Sequence, residues 1–60
     1  MIRIFKNVTG FQDGTTHIEY WANGTVHIIN PSLGGDMGDC SWTLKEILYR
    51  VEAGVWEEIK

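Results

Sequence analysis

One cysteine, one proline and five basic residues are all that this chain of sixty contains of those kinds. Cys40 alone cannot close an intrachain disulfide, and secreted domains of this size usually use several to compensate for a small core. A reducing, cytosolic setting is therefore expected. The basic residues are outnumbered by eight acids, for a net charge of −3. A chain that wraps phosphates carries the opposite sign, which argues against general nucleic-acid binding. Long apolar runs are missing too. No stretch approaches the ~18 residues of a membrane span, and Met1–Lys6 alternates where a signal peptide needs a continuous apolar block. No membrane partner is expected.

Catalytic and cofactor motifs are equally scarce. The loop Gly34–Asp39 lacks the Gly-Lys-Ser/Thr ending of a phosphate loop and the fixed ligand spacing of a calcium loop. Cys40 lies near a helix start, which favours a thiolate, but Asp36 and Asp39 oppose it and no histidine is close in sequence. No enzyme activity, cofactor or metal is expected. Asn7-Val8-Thr9 and Asn23-Gly24-Thr25 match the glycosylation acceptor pattern by chance, and Pro31 disqualifies Asn30-Pro31-Ser32.

What remains is one small domain, residues 1–60, with too many aromatics for a disordered tail. Such a chain buries only about 60% of its unfolded surface, so its core is thin and self-association into a homodimer is one way to extend it. Ile2, Ile4 and Phe5 open a first strand that ends at Thr9-Gly10, and Thr15–Trp21 forms a second. Asn23-Gly24 marks a hairpin into a third strand that stops at Pro31. A two-residue turn mixes polar and apolar side chains on both faces. A three-residue turn, Ala22-Asn23-Gly24 with Gly24 left-handed, pairs Tyr20 with Val26 and Ile18 with Ile28 and makes one face apolar, so the pattern selects it.

Residues 31–40 show no apolar period and read as a long loop. Thr43-Leu44-Lys45-Glu46 is a capping box, with Trp42 placed to staple onto Ile47. Leu44, Ile47, Leu48 and Val51 then form a stripe facing the sheet, and Gly54 ends the helix. The tail 55–60 alternates like a short edge strand parallel to the first. The expected fold is α+β: a three-stranded antiparallel meander with one C-terminal helix on one face, and a short fourth edge strand as an option.

Two working surfaces emerge. The selected register turns His17, Glu19, Trp21, Thr25, His27 and Ile29 to the outer sheet face, and Phe5 joins them if the first strand pairs regularly. Tryptophan rimmed by polar groups is the composition of a binding hot spot. His17, Glu19 and His27 also make a metal-donor set, but an open sheet face lacks enclosing walls, and a plain Glu19–His27 cross-strand pair is preferred. The competing possibility for the face itself is that Trp56 and the tail, or the 9–14 connection, cover it.

The second surface is acidic: Asp36, Asp39, Glu46, Glu52, Glu57 and Glu58 outweigh Lys45, Arg50 and Lys60, so residues 36–60 carry the whole −3. The expected function is a noncatalytic protein-binding module, a small inhibitor or adaptor of the kind compact, phage-like genomes encode, with its partner unidentified. The alternatives are a single-stranded nucleic-acid platform on the aromatic face, served by Arg3 and Lys6, and an acidic nucleic-acid mimic.

Overall fold

The computed structural model of the chain describes residues 2–40 and 42–60, and for Asp39 the backbone alone. Strands β1 (Arg3–Asn7), β2 (His17–Tyr20), β3 (Val26–Asn30), β4 (Gly35–Cys40) and β5 (Trp56–Ile59) form one antiparallel sheet in the order β4-β3-β2-β1-β5. Helix α1 (Leu44–Glu52) joins the two edge strands and packs on one face. This is the expected α+β arrangement with a longer sheet.

The β2–β3 turn has the selected register. Tyr20 stands opposite Val26 and Ile18 opposite Ile28. Trp21 N–H donates to Thr25 O and Gly24 N–H to Trp21 O, both at 2.9 Å, and Gly24 has φ +86. A side chain at Gly24 would meet no steric clash with neighbours, so the positive φ alone demands glycine there.

Short polar side chains fix the other corners. Asn7, Asn23 and Asn30 each accept, through Oδ1, from the backbone N–H and the hydroxyl of the Thr or Ser two residues on. The three Asn-X-Ser/Thr triplets are thus turn-forming devices. Asp13 caps Thr15 N–H, and Asp36 caps Gly38 N–H, in the same i to i+2 manner. Asn30 is only 2% exposed and also donates to Asp13 O, tying the 9–16 connection to the end of β3. A Cβ at Gly14 would stand 2.6 Å from Ser32 Oγ, so the connection lies tight against that corner.

Two expectations are corrected. Residues 31–40 are not an irregular loop: Pro31–Leu33 is a 3-10 turn and Gly35–Cys40 is β4. An edge strand gains its stability from the ladder of its neighbour, and Gly35 and Gly38, both at positive φ, erase the alternation that betrays a strand. The last strand runs antiparallel to β1, with Phe5 opposite Glu58 and Asn7 opposite Trp56. Its register is held by the bidentate ion pair of Arg3 with Glu58, both bonds at 2.9 Å, and by Val8 N–H to Val55 O at 3.0 Å.

The core is Phe5, Ile18, Val26, Ile47 and Trp56, with Phe11, Tyr20, Ile28, Cys40, Trp42, Leu44 and Val51 packed around it. Both helix ends follow the sequence signals. The Thr43–Glu46 capping box is complete, and Gly54 N–H to Val51 O with Val55 N–H to Arg50 O closes the C-terminus.

The apolar stripe, however, is rotated. Ile47 is fully buried whereas Leu48 is 38% exposed. Trp42 stacks on Trp56 with centroids 4.9 Å apart, and the Arg50 guanidinium lies 4.4 Å over Trp42. At about 100° per residue, the buried arc is drawn from Ile47 towards Arg50, and Leu48 swings out on the other side.

The contrast is measurable. Ile47→Ala is expected to cost about 2–5 kcal/mol, enough to unfold so small a domain, and Leu48→Ala less than about 1 kcal/mol. Urea denaturation followed by tryptophan fluorescence separates them, and equal losses would contradict the rotated helix.

Candidate functional site

On the outer sheet face the pleat brings Ile4, His17, Glu19, His27 and Ile29 to one side, with Ile4 opposite both Glu19 and Ile59, Glu19 opposite His27, and His17 opposite Ile29. Trp21 follows β2 at the start of the bulged turn. Its ring stacks on His27, centroids 3.8 Å apart and planes 17° from parallel. Its Nε1–H donates to Glu19 Oε1 at 3.0 Å. The indole is therefore held both by its face and by its N–H.

Glu19 and His27 stand opposite each other, yet each turns to other partners. Glu19 Oε2 accepts from His17 Nε2 at 3.0 Å. His27 Nδ1 donates to Asp36 Oδ1 at 3.0 Å, and Nε2 lies 2.8 Å from Thr25 Oγ1. Held at both nitrogens, the imidazole keeps its plane free for stacking. His17 Nδ1 meets Thr16 Oγ1 at 2.8 Å, so both rings bridge a threonine and a carboxylate. The expected Glu19–His27 cross-strand pair is thus replaced by two Thr–His–acid chains joined through Trp21.

The carboxylates are held ionised. The hydrogen bond from His17, reinforced by that from Trp21, keeps Glu19 below the usual carboxylate range against the opposing effect of burial. Asp36 is lowered first by Gly38 N–H and then by His27. With both oxygens of Glu19 and both nitrogens of His27 already engaged, this set does not offer converging lone pairs to a cation. Among the described residues no three His, Cys, Asp or Glu gather as a metal site.

The structure thus brings Trp21, His27, Ile29 and His17 together, but buries His27, only 8% exposed, against the indole, so that it supports Trp21 rather than offering a contact of its own, and it removes Phe5. That residue is fully buried on the inner face, paired with Ile18 beneath α1. Ile2 and Ile4 outnumber it on the sequence, but the inner face needs its volume. The residues that sequence reasoning left out of the sheet face are Ile4, Ile59 and Asp36, whereas Thr25 lies there as expected. Asp36 arrives on β4, which no apolar pattern announced; its Asp-x-Gly turn signature was the available cue. Trp56 is 4% exposed in the core, and Phe11 of the 9–14 connection lies edge-on to it at 5.5 Å, so the aromatic side chains of both candidate covers pack on the inner face, and of the tail Ile59 reaches the outer one at the sheet's edge.

The acidic residues do not form one row. Glu58 holds Arg3, Glu57 holds Lys6 at 3.2 Å, Glu46 closes the capping box and Asp36 belongs to the sheet-face network. Glu52 is exposed on α1, and the Asp39 side chain lies outside the described residues. Cys40 is half-buried against the core, opposite Val26. No helix of the described residues is long and apolar enough to cross a membrane.

Comparison with protein-family models, with curated proteins and with solved structures gave no match.

Because Glu19, Asp36, Asp13 and Glu58 all lie below their ordinary values, the unfolded chain binds protons more readily than the folded one. Their contribution is complete at neutral pH and is lost as pH falls from about 5 towards 3. Denaturation at stepped pH is expected to show that decline, with a shallower slope in Glu19→Gln. An unchanged slope would show that Glu19 is not held by His17 and Trp21.

Proposed function

We propose that this chain is a noncatalytic protein-binding module, a small stoichiometric inhibitor or adaptor, whose partner docks on the outer sheet face around Trp21. The observation that carries this reading is the fixed indole. Glu19 and His27 hold Trp21 in one orientation before any partner arrives, and the aromatic side chains able to cover it pack elsewhere. A pre-ordered aromatic loses little side-chain entropy on docking, and Ile29, Ile4 and Ile59 extend the apolar area beside a polar rim. The lone cysteine supports a cytosolic setting.

Base stacking on the same face has less support, since the cations it requires, Arg3 and Lys6, are each taken by a carboxylate. An acidic nucleic-acid mimic has less still, because its carboxylates are dispersed over both sheet faces and the helix.

Affinity capture with the intact chain and with Trp21→Ala tests the reading, the fold of each being checked by circular dichroism. Loss of about 30-fold in partner affinity is expected from truncating a hot-spot tryptophan. Equal capture by the variant would overturn the assignment to this face. Quenching of Trp21 fluorescence by single-stranded oligonucleotide at low salt would instead establish the base-stacking alternative.

A further inference from the structure

The exposed side of α1 looks away from the sheet and is apolar at its centre. Leu48 is 38% and Tyr49 72% exposed, and with Leu44, Lys45 and Glu52 they line a shallow, open groove of about 510 Å3, beside a smaller depression at Tyr49, Glu52 and Ala53. We propose that this groove is a self-docking surface, at which the α1 helices of two copies lie antiparallel about a two-fold axis passing between Leu48 and Tyr49.

Charge placement selects the occupant. Lys45 and Glu52 lie seven residues apart, two turns along the same helix face, and their midpoint falls between Leu48 and Tyr49. A two-fold axis at that midpoint sets Lys45 of each copy against Glu52 of the other and buries the two apolar pairs between them. An isologous interface requires this self-complementarity. A parallel arrangement sets lysine against lysine and glutamate against glutamate.

The same two charges violate the local rule for helices. Anions belong near the N-terminus and cations near the C-terminus, and Glu46 and Arg50 obey this. Lys45 in the first turn and Glu52 in the last are reversed. Among the described residues neither takes part in an ion pair that would account for the reversal within one chain. Pairing across the two-fold axis accounts for both.

A nine-residue helix offers a small interface, so the association is weak and concentration-dependent. It leaves both outer sheet faces free, pointing away from the dimer axis, and so does not depend on the docking role of Trp21.

Sedimentation equilibrium of the full chain from about 10 μM to about 1 mM tests the proposal. The mass is expected to rise from 6.8 kDa towards the dimer. Lys45→Glu and Glu52→Lys each place like charges across the axis twice, and each is expected to weaken association about tenfold. Both changes agree with the helix dipole, so neither loosens the helix itself, which circular dichroism verifies. An equimolar mixture of the two variants, and the double variant, are expected to associate as the wild type does. A mass that stays monomeric throughout, single variants that associate normally, or a folded double variant that stays as weak as the singles would each overturn it.

Discussion

Two backbone hydrogen bonds close the turn at Ala22–Gly24, from Trp21 N–H to Thr25 O and from Gly24 N–H to Trp21 O, and they fix which side of the sheet every residue of β2 and β3 faces. A shift of one residue exchanges the two faces. In the register adopted, Ile18, Val26 and Phe5 meet Ile47 in the core, while Glu19, Trp21 and His27 meet one another outside it. Core and candidate site are consequences of the same turn.

The outer face is more ordered than an exposed sheet surface needs to be. Glu19 joins His17 to Trp21, the indole stacks on His27, and His27 reaches Asp36 on the edge strand. Four segments therefore share one hydrogen-bonded and stacked array, and β4 serves as the wall that closes it on one side. Its polar groups satisfy one another, so the cost of covering them with a partner is lower than for open carboxylates and imidazoles. That favours docking of a protein surface over metal binding, which needs unoccupied lone pairs.

Much of this was legible in residues with strong local chemistry. Asn23-Gly24 between β-rich runs gave the hairpin, and the apolar pattern chose its register. Thr43, Glu46 and Gly54 marked the helix ends because caps are local interactions. Where the outcome depends on distant partners, legibility fails. Gly35–Cys40 has no alternation and becomes a strand only because β3 offers it a ladder. Phe5 shares β1 with Ile4 on the opposite side, and its face is settled by Ile18 and Ile47 rather than by its neighbours. Leu48 fits the helical stripe, yet Arg50 and the stacked Trp42–Trp56 pair rotate the helix away from it. The direction of the tail likewise follows from its ladder with β1, a partner almost the whole chain away.

The central claim is that the turn register sets Trp21 on His27 outside the core. Two-dimensional proton NMR of the free chain tests it most directly. The account predicts nuclear Overhauser contacts between the Trp21 indole and the His27 ring, with the His27 ring protons shifted upfield by the stacked indole. Contacts from Trp21 to Phe5 or Ile47 instead would mean that the two faces are exchanged, and would contradict both the core and the site.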